Sequence, residues 1–164
     1  MIIYFDASAL IKSLVEEPGS VSIKNFLLAI AQLEETVVFA TSAVSKAEIM
    51  AALSAIRRGR HLTQKIFEKA VADFKIRWKA FFIPEVTSLL IDKAGEIGLN
   101  HKIKGCDAFQ LASALEVESD IFISTDNDLN VAASENGLFV WNPMTEPIPK
   151  INDLVRSSSL INPE

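Results

Sequence analysis

The first apolar run of the chain, Ile2 to Phe5, is uninterrupted and ends abruptly at Asp6. A short continuous run with a polar stop fits a strand buried on both faces, and Ser8–Val15 behind it fits a short helix closed by the turn residues of "EEPGS". The alternation then repeats. Val21, Ile23, Phe26, Leu27, Ile30 and Leu33 recur at helical spacing, and the β-branched "TVVFA" follows as a strand. Ser42 or Ser45 can cap the next helix, whose apolar face includes Ile49, Leu53 and Ile56 and which stops near Gly59. Thr63 can start another that runs to about Trp78, so the two are expected to form a helical hairpin.

"AFFIP" reads as a short strand closed by Pro84, and "TSLLIDKAGEIGL" as a helix with Gly98 near its end. After the basic segment "NHKIKG", the stretch "CDAFQLASALEVE" sets Phe109, Leu111, Ala112 and Leu115 on one stripe of a further helix. "DIFIS" and "LFVW" are the last strands, separated by the helical "DNDLNVAASEN" with Gly137 as its stop signal. Strands alternating with helices predict an α/β fold with a parallel sheet between helical layers. No internal repeat is visible. From about Asn142 the patterning weakens: "NPMTEPIPK" is proline-rich, Ile148, Ile151, Leu154 and Val155 can fold back on the domain or meet another chain, and "SSSLINPE" has the composition of a frayed end.

Composition narrows this further. At 164 residues and 49% apolar, the chain fits one domain that buries about two-thirds of its unfolded surface. The single Cys106 forms no internal disulfide, and the first apolar run lacks a basic leader. No apolar stretch approaches the roughly 20 residues of a membrane span, so a cytoplasmic protein is the expectation. A net charge of −5 argues against wrapping nucleic acid by bulk electrostatics but leaves local contacts open. Basic clusters stand at Arg57, Arg58, Arg60 and His61, at Lys75, Arg77 and Lys79 beside Trp78, and at His101, Lys102 and Lys104. Their blander reading is cations at helix C-termini.

The acids carry the chemistry. Side chains at the carboxyl ends of strands in an open parallel sheet line a common crevice. Asp6 ends the first strand and Asp126 a later one; Asp107 stands near a helix start at the same edge, and Glu48 lies one turn into the helix after "VVFATS". Singly, each aspartate reads as a helix-start acid worth about 0.3–1 kcal/mol. Glu48, set among Ala47, Ile49, Met50 and Leu53, is harder to dismiss, because a buried carboxylate needs a partner. Gathered together without compensation the acids would repel, and some would take up protons. A divalent cation removes that difficulty. Oxygen-only ligands select Mg2+ or Mn2+ over zinc, and such a site suits phosphodiester hydrolysis.

In combination these stretches resemble the PIN-domain ribonucleases, most closely toxins of the VapC type. "YFDASALIKSLVEEPGS" is similar to the family's opening strand, first aspartate and helix. "SAVSKAEIMAAL" carries the glutamate, "IKGCDAFQLASAL" the third acid and "FISTDNDLNVAASENGL" the last. The resemblance implies a PIN-domain-like three-layer sandwich with a central parallel sheet of about five strands, spanning residues 1–141, with 142–164 as a C-terminal tail packed on it or partly disordered. It implies a Mg2+-dependent endoribonuclease cutting single-stranded or looped RNA, with a cognate antitoxin and a homodimer as expected assemblies. Asp6, Glu48, Asp107 and Asp126 match the catalytic acids. Asp6, Asp107 and Asp126 are the expected metal ligands, and Glu48 is expected to position a water or a second ion. Ser8 and Thr125 are candidates for hydrogen bonds within the site, and Asp128 shares the neighbourhood of Asp126, its blander reading being an exposed first-turn acid. This chain has Gln110 where such toxins often show a histidine; the metal site is not expected to depend on it.

Other readings compete. A PIN-like binding or regulatory module without catalysis would not need the four acids, all present here. A PIN nuclease of RNA processing would lack the antitoxin. An aspartate-nucleophile phosphatase wants a second aspartate two residues after the first, where this chain has Ser8, and a receiver domain wants paired acids after the first strand. Cys106 has no histidine beside it and is expected to pack at a helix start. His61 and His101 could touch phosphate but are expected as plain surface residues, and Trp78 could stack on a base but is expected in the core.

Overall fold

The computed structural model describes residues 1–59 and 61–150. The opening apolar run forms β1 (Ile2–Phe5), and three further strands follow: β2 (Val38–Ala40), β3 (Ile121–Ile123) and β4 (Val140–Trp141). They make a wholly parallel sheet in the order β2-β1-β3-β4. The helices are α1 (Ala7–Ile11), α2 (Ser20–Ile30), α3 (Ser45–Arg58), α4 (Gln64–Trp78), α5 (Ser88–Asn100), α6 (Gly105–Glu116) and α7 (Asn127–Glu135). The chain leaves β1 toward β2 on one side and later returns to β3 on the other. The order therefore reverses around β1, and the crevice of an open α/β sheet lies at such a switch point.

β1 alternates across the sheet as period-2 geometry requires. Ile3 and Phe5 join Ile121 and Ile123 in a core covered by residues of α1, α2, α3 and α4. Tyr4 faces the other way, stacked on its register partner Phe122 at 5.4 Å between ring centroids, in a core built with α5, α6 and α7. Helical layers thus cover both faces, which is why the inner strands read as unbroken apolar runs.

The sheet has four strands where about five were expected. "AFFIP" contributes a single parallel bridge, Ala40 to Phe82, in which Phe82 N donates to Phe39 O at 2.8 Å and Thr41 N donates to Phe82 O at 3.1 Å. The next ladder donor would be the backbone nitrogen of residue 84, and Pro84 has no N–H. The first helix is also shorter than its apolar pattern, ending at Ile11, and the last strand narrows to Val140–Trp141.

Capping follows the expected chemistry in part. Thr63 accepts from Ile66 N at 3.3 Å and opens α4, as expected. Neither Ser42 nor Ser45 caps α3: Ser42 Oγ accepts from Val44 N one turn earlier, and Ser45 is buried in a side-chain network. The "EEPGS" turn ends in Gly19, whose φ of +92° suits glycine and where a Cβ would come within 3.0 Å of Lys12 Cδ. The expectations for residues 151–164 lie outside the described residues, and residues 142–146 form a turn in which Glu146 N donates to Asn142 O at 3.0 Å. No helix among the described residues is long and apolar enough to cross a membrane.

Candidate active site

Where β1 stops, Asp6 is held from several sides. Its Oδ1 accepts from Ala7 N at 2.7 Å, so it caps α1, while Oδ2 accepts from Ser8 Oγ at 2.6 Å, Ser8 N at 3.2 Å and Ser124 Oγ at 2.9 Å. The cap reading of Asp6 is therefore correct, and the cap leaves the residue at the carboxyl end of β1. Ser8 additionally accepts from Thr125 N at 2.9 Å, and Ser124 Oγ accepts from Asp126 N at 3.1 Å. Asp6 N donates to Ile123 O at 3.0 Å. These bonds tie the ends of β1 and β3 into one rigid edge. Thr125 enters through its backbone N–H; the hydroxyl that reaches Asp6 is that of Ser124, fully buried and not singled out from the sequence. A serine among "FISTDND" looks like turn chemistry until the fold sets it beside a residue 118 positions away.

Glu48 sits in the first turn of α3, half-buried, and its Oε2 accepts from Gln110 Nε2 at 2.7 Å. Gln110, noted in the sequence only as a departure from the histidine often found there, is fully buried on α6, and its bond to Glu48 was not foreseen. Asp107, in the first turn of α6, accepts from Lys104 N at 3.3 Å through Oδ2. Asp126 caps α7, its Oδ1 accepting from Leu129 N at 2.9 Å. Asp128 is exposed in the first turn of that helix. Asp107, Asp126 and Asp128 line a cleft of about 430 Å³ together with His101, Lys102, Ile103 and Lys104.

The electrostatics follow. Burial pushes the Asp6 carboxyl above its usual range, against the pull of the Ser8 and Ser124 hydroxyls. Burial also raises Glu48, opposed by the Gln110 amide and assisted by the negative charges of Asp6 and Asp107. Asp107 is raised by burial, opposed by the Lys104 backbone bond, and raised again by Asp126 and Asp128. Glu48 and Asp107 both feel neighbouring acids as like charges, so the cluster favours an added cation. Among the described residues the ion pairs are elsewhere: Lys12 with Glu17, Lys93 with Glu116 and His101 with Glu135.

Asp107 Oδ1, Asp126 Oδ2 and Glu48 Oε1 have no hydrogen-bond partner among the described residues. That donor set, oxygen only and anionic, fits a hard divalent ion. The acids are not drawn into a closed cage: no group of three or more His, Cys, Asp or Glu side chains among the described residues is gathered tightly enough to hold a metal as it stands. Glu48, Asp107 and Asp126 are instead each anchored by one oxygen and free at the other, while both oxygens of Asp6 accept hydrogen bonds.

The remaining candidates fall into place. Cys106 is exposed rather than packed, its thiol pushed up by burial and by Glu48 and Asp107. His101 is no free surface residue, since Nδ1 meets Glu135 Oε2 at 3.1 Å and Nε2 meets Asn136 Nδ2 at 3.0 Å. His61 is exposed. Trp78 is half-buried against the first core, with Lys46 Nζ 5.6 Å from its ring centroid. A separate cleft of about 190 Å³, lined by Phe5, Leu10, Leu27, Phe39, Arg77 and Phe81 among others, is apolar and holds none of the acids.

The fold and the acidic edge define a class of protein, and comparison with known proteins agrees: residues 3–135 match the PIN domain family model. The chain belongs to the PIN-domain family and, within it, to the VapC ribonucleases. It is 35% identical over 116 residues to Ribonuclease VapC45 of Mycobacterium tuberculosis, covering 71% of this chain and 76% of that protein. Among solved structures it is similar to VapBC-1 from nontypeable Haemophilus influenzae, with TM-score 0.62, 13% identity, and 88% of this chain and 100% of that chain covered. Mycobacterium tuberculosis VapC20, described as a sarcin-ricin loop cleaving toxin, superposes with TM-score 0.60 at 18% identity over 90% of this chain and 100% of that one. The chain is accordingly a nuclease of the hydrolase class, in a family whose ribonucleases work with a divalent metal.

Proposed function

We propose that the chain is the toxin of a toxin–antitoxin pair, an endoribonuclease that cuts single-stranded or looped RNA with Mg2+ or Mn2+ held by Asp6, Asp107 and Asp126. The observation that carries the reading is the edge at the ends of β1 and β3. There, Asp6, Glu48, Asp107 and Asp126 act on one another as like charges, and none forms an ion pair with a protein cation among the described residues. A bound ion supplies charge to polarise the phosphodiester and to stabilise the leaving alkoxide. The chain's own groups do the rest. Ser8 and Ser124 donate to Asp6 and oppose the upward push of its burial. Glu48, free at Oε1, aligns the attacking water. Lys102 and Lys104, which line the same cleft as the aspartates, would receive flanking phosphates.

The antitoxin arm is supported by the structural neighbour VapBC-1 and by Ribonuclease VapC45. A basic side chain of such a partner, inserted among these carboxylates, would be held by charge-assisted bonds and would block the site. A homodimer and a cytoplasmic location belong to the same reading. The test is cleavage of RNA by protein freed of partner, with Mg2+ or Mn2+, beside an Asp6→Asn control. Metal-dependent cleavage lost in the control is expected; cleavage that survives EDTA, or an equally active control, would sink the assignment. Copurification of a small basic protein distinguishes the toxin from a nuclease of RNA processing.

A further inference from the structure

Gln110 lies at the centre of a buried chain of hydrogen bonds that runs between the two carboxylates on the inner side of the site. Thr41, Ser45, Tyr4 and Gln110 are all fully buried. Thr41 Oγ1 is 2.7 Å from Phe5 O, an acceptor only, so the threonine proton points there. In the 2.7 Å contact between Thr41 and Ser45, the serine must then be the donor. With its single proton so directed, Ser45 Oγ accepts from Gln110 Nε2 at 2.9 Å, and its 3.2 Å approach to Gln110 Oε1 has no proton left to donate. The other hydrogen of Nε2 goes to Glu48 Oε2 at 2.7 Å, while Tyr4 O–H donates to Gln110 Oε1 at 2.8 Å.

Each proton in the chain has one place to go. Rotating the amide by half a turn would set Oε1 against the Glu48 carboxylate and against Ser45 Oγ, whose proton is directed elsewhere. The chain begins on the carbonyl of Phe5, one residue before Asp6, and ends on Glu48. It therefore gives both acids a common frame through β1, the loop after β2, α3 and α6. Resting on the nuclease reading above, we propose that Gln110 is the positioning residue for Glu48: its amide, locked by Tyr4 and Ser45, fixes Oε2 and so sets the direction of the free Oε1.

The experiment is a cycle of Gln110→Met, Glu48→Ala and the double variant in the full chain, with kcat and KM on RNA and Mn2+ affinity by calorimetry as readouts. Methionine keeps length and apolar bulk and removes the donor. Gln110→Met is expected to lower kcat about 10–100-fold with KM little changed and to weaken Mn2+ binding, both effects vanishing in the Glu48→Ala background because no carboxylate remains to be aimed. A lower melting temperature with unchanged kcat and Mn2+ affinity, or a loss that persists undiminished without Glu48, overturns the proposal. If Gln110→Met does not fold, Tyr4→Phe removes only the O–H that locks the amide and must show a smaller loss with the same dependence on Glu48. Should the wild-type chain fail to cut RNA, the nuclease reading falls, and the Mn2+ cycle still decides whether Gln110 positions Glu48.

Discussion

Asp6 and Asp107 are both aspartates beside the first turn of a helix at the same sheet edge, yet they are held in opposite ways. Asp6 is 5% exposed and accepts four hydrogen bonds, from Ala7 N, Ser8 N, Ser8 Oγ and Ser124 Oγ. Asp107 is half-open and accepts one, from Lys104 N. The inner pair, Asp6 with Glu48, is fixed by residues drawn from several elements. The outer wall, Asp107 with Asp126 and Asp128, is fixed only through the acids' own helices. A buried carboxylate is tolerable only with its lone pairs engaged, so the inner pair is preorganised; the cleft wall of Asp107 and Asp126 keeps free oxygens for a ligand.

The sharpest way to break the contrast is Asp6→Asn. It should reduce cleavage by at least about 100-fold in an end-labelled RNA assay. It should also destabilise the fold by about 1–3 kcal/mol, because whichever way the amide turns its NH2 meets a fixed backbone donor, Ala7 N–H or Ser8 N–H, from which it cannot accept, so the substitution does more than neutralise a ligand. Ser124→Ala comes next. It removes the donor to Asp6 and the acceptor for Asp126 N together, so a loss of about 10-fold in kcat is expected, measured beside urea unfolding that shows about 1–2 kcal/mol of destabilisation.

Asp107→Asn tests the outer wall and should abolish cleavage without harming the fold. Its folded carboxyl is raised above the unfolded value, by burial first and by Asp126 and Asp128 as well. A raised acid contributes stability while it is protonated and loses it as pH rises through the folded pKa. In EDTA, then, the asparagine variant should match the wild type at acid pH and melt progressively higher than it toward neutrality. A gap that narrows as pH rises would contradict this. Asp128→Asn should do least, changing stability by less than about 0.5 kcal/mol, since the residue is exposed and shares its cleft with two better-held acids.

Much of this was legible in the chain. An apolar run that stops at Asp6, helical spacing from Val21 onward, Thr63 before a helix and "FISTD" after another fixed the order of strands and helices, because local periodicity and capping act within a few residues. The acids were legible for the same reason, since strand ends of a parallel sheet share one edge. The fifth strand failed because one missing N–H, that of Pro84, stops a ladder that the composition of "AFFIP" otherwise favours.

What the sequence determined by itself was the α/β alternation, the parallel sheet and the four acids at its carboxyl edge. Only the tertiary structure decided which neutral side chains hold those acids. Ser124 reaches Asp6 across 118 positions and Gln110 reaches Glu48 across 62. Hydroxyls and amides leave no periodic trace, and their value as partners depends on where a long-range fold directs a single proton.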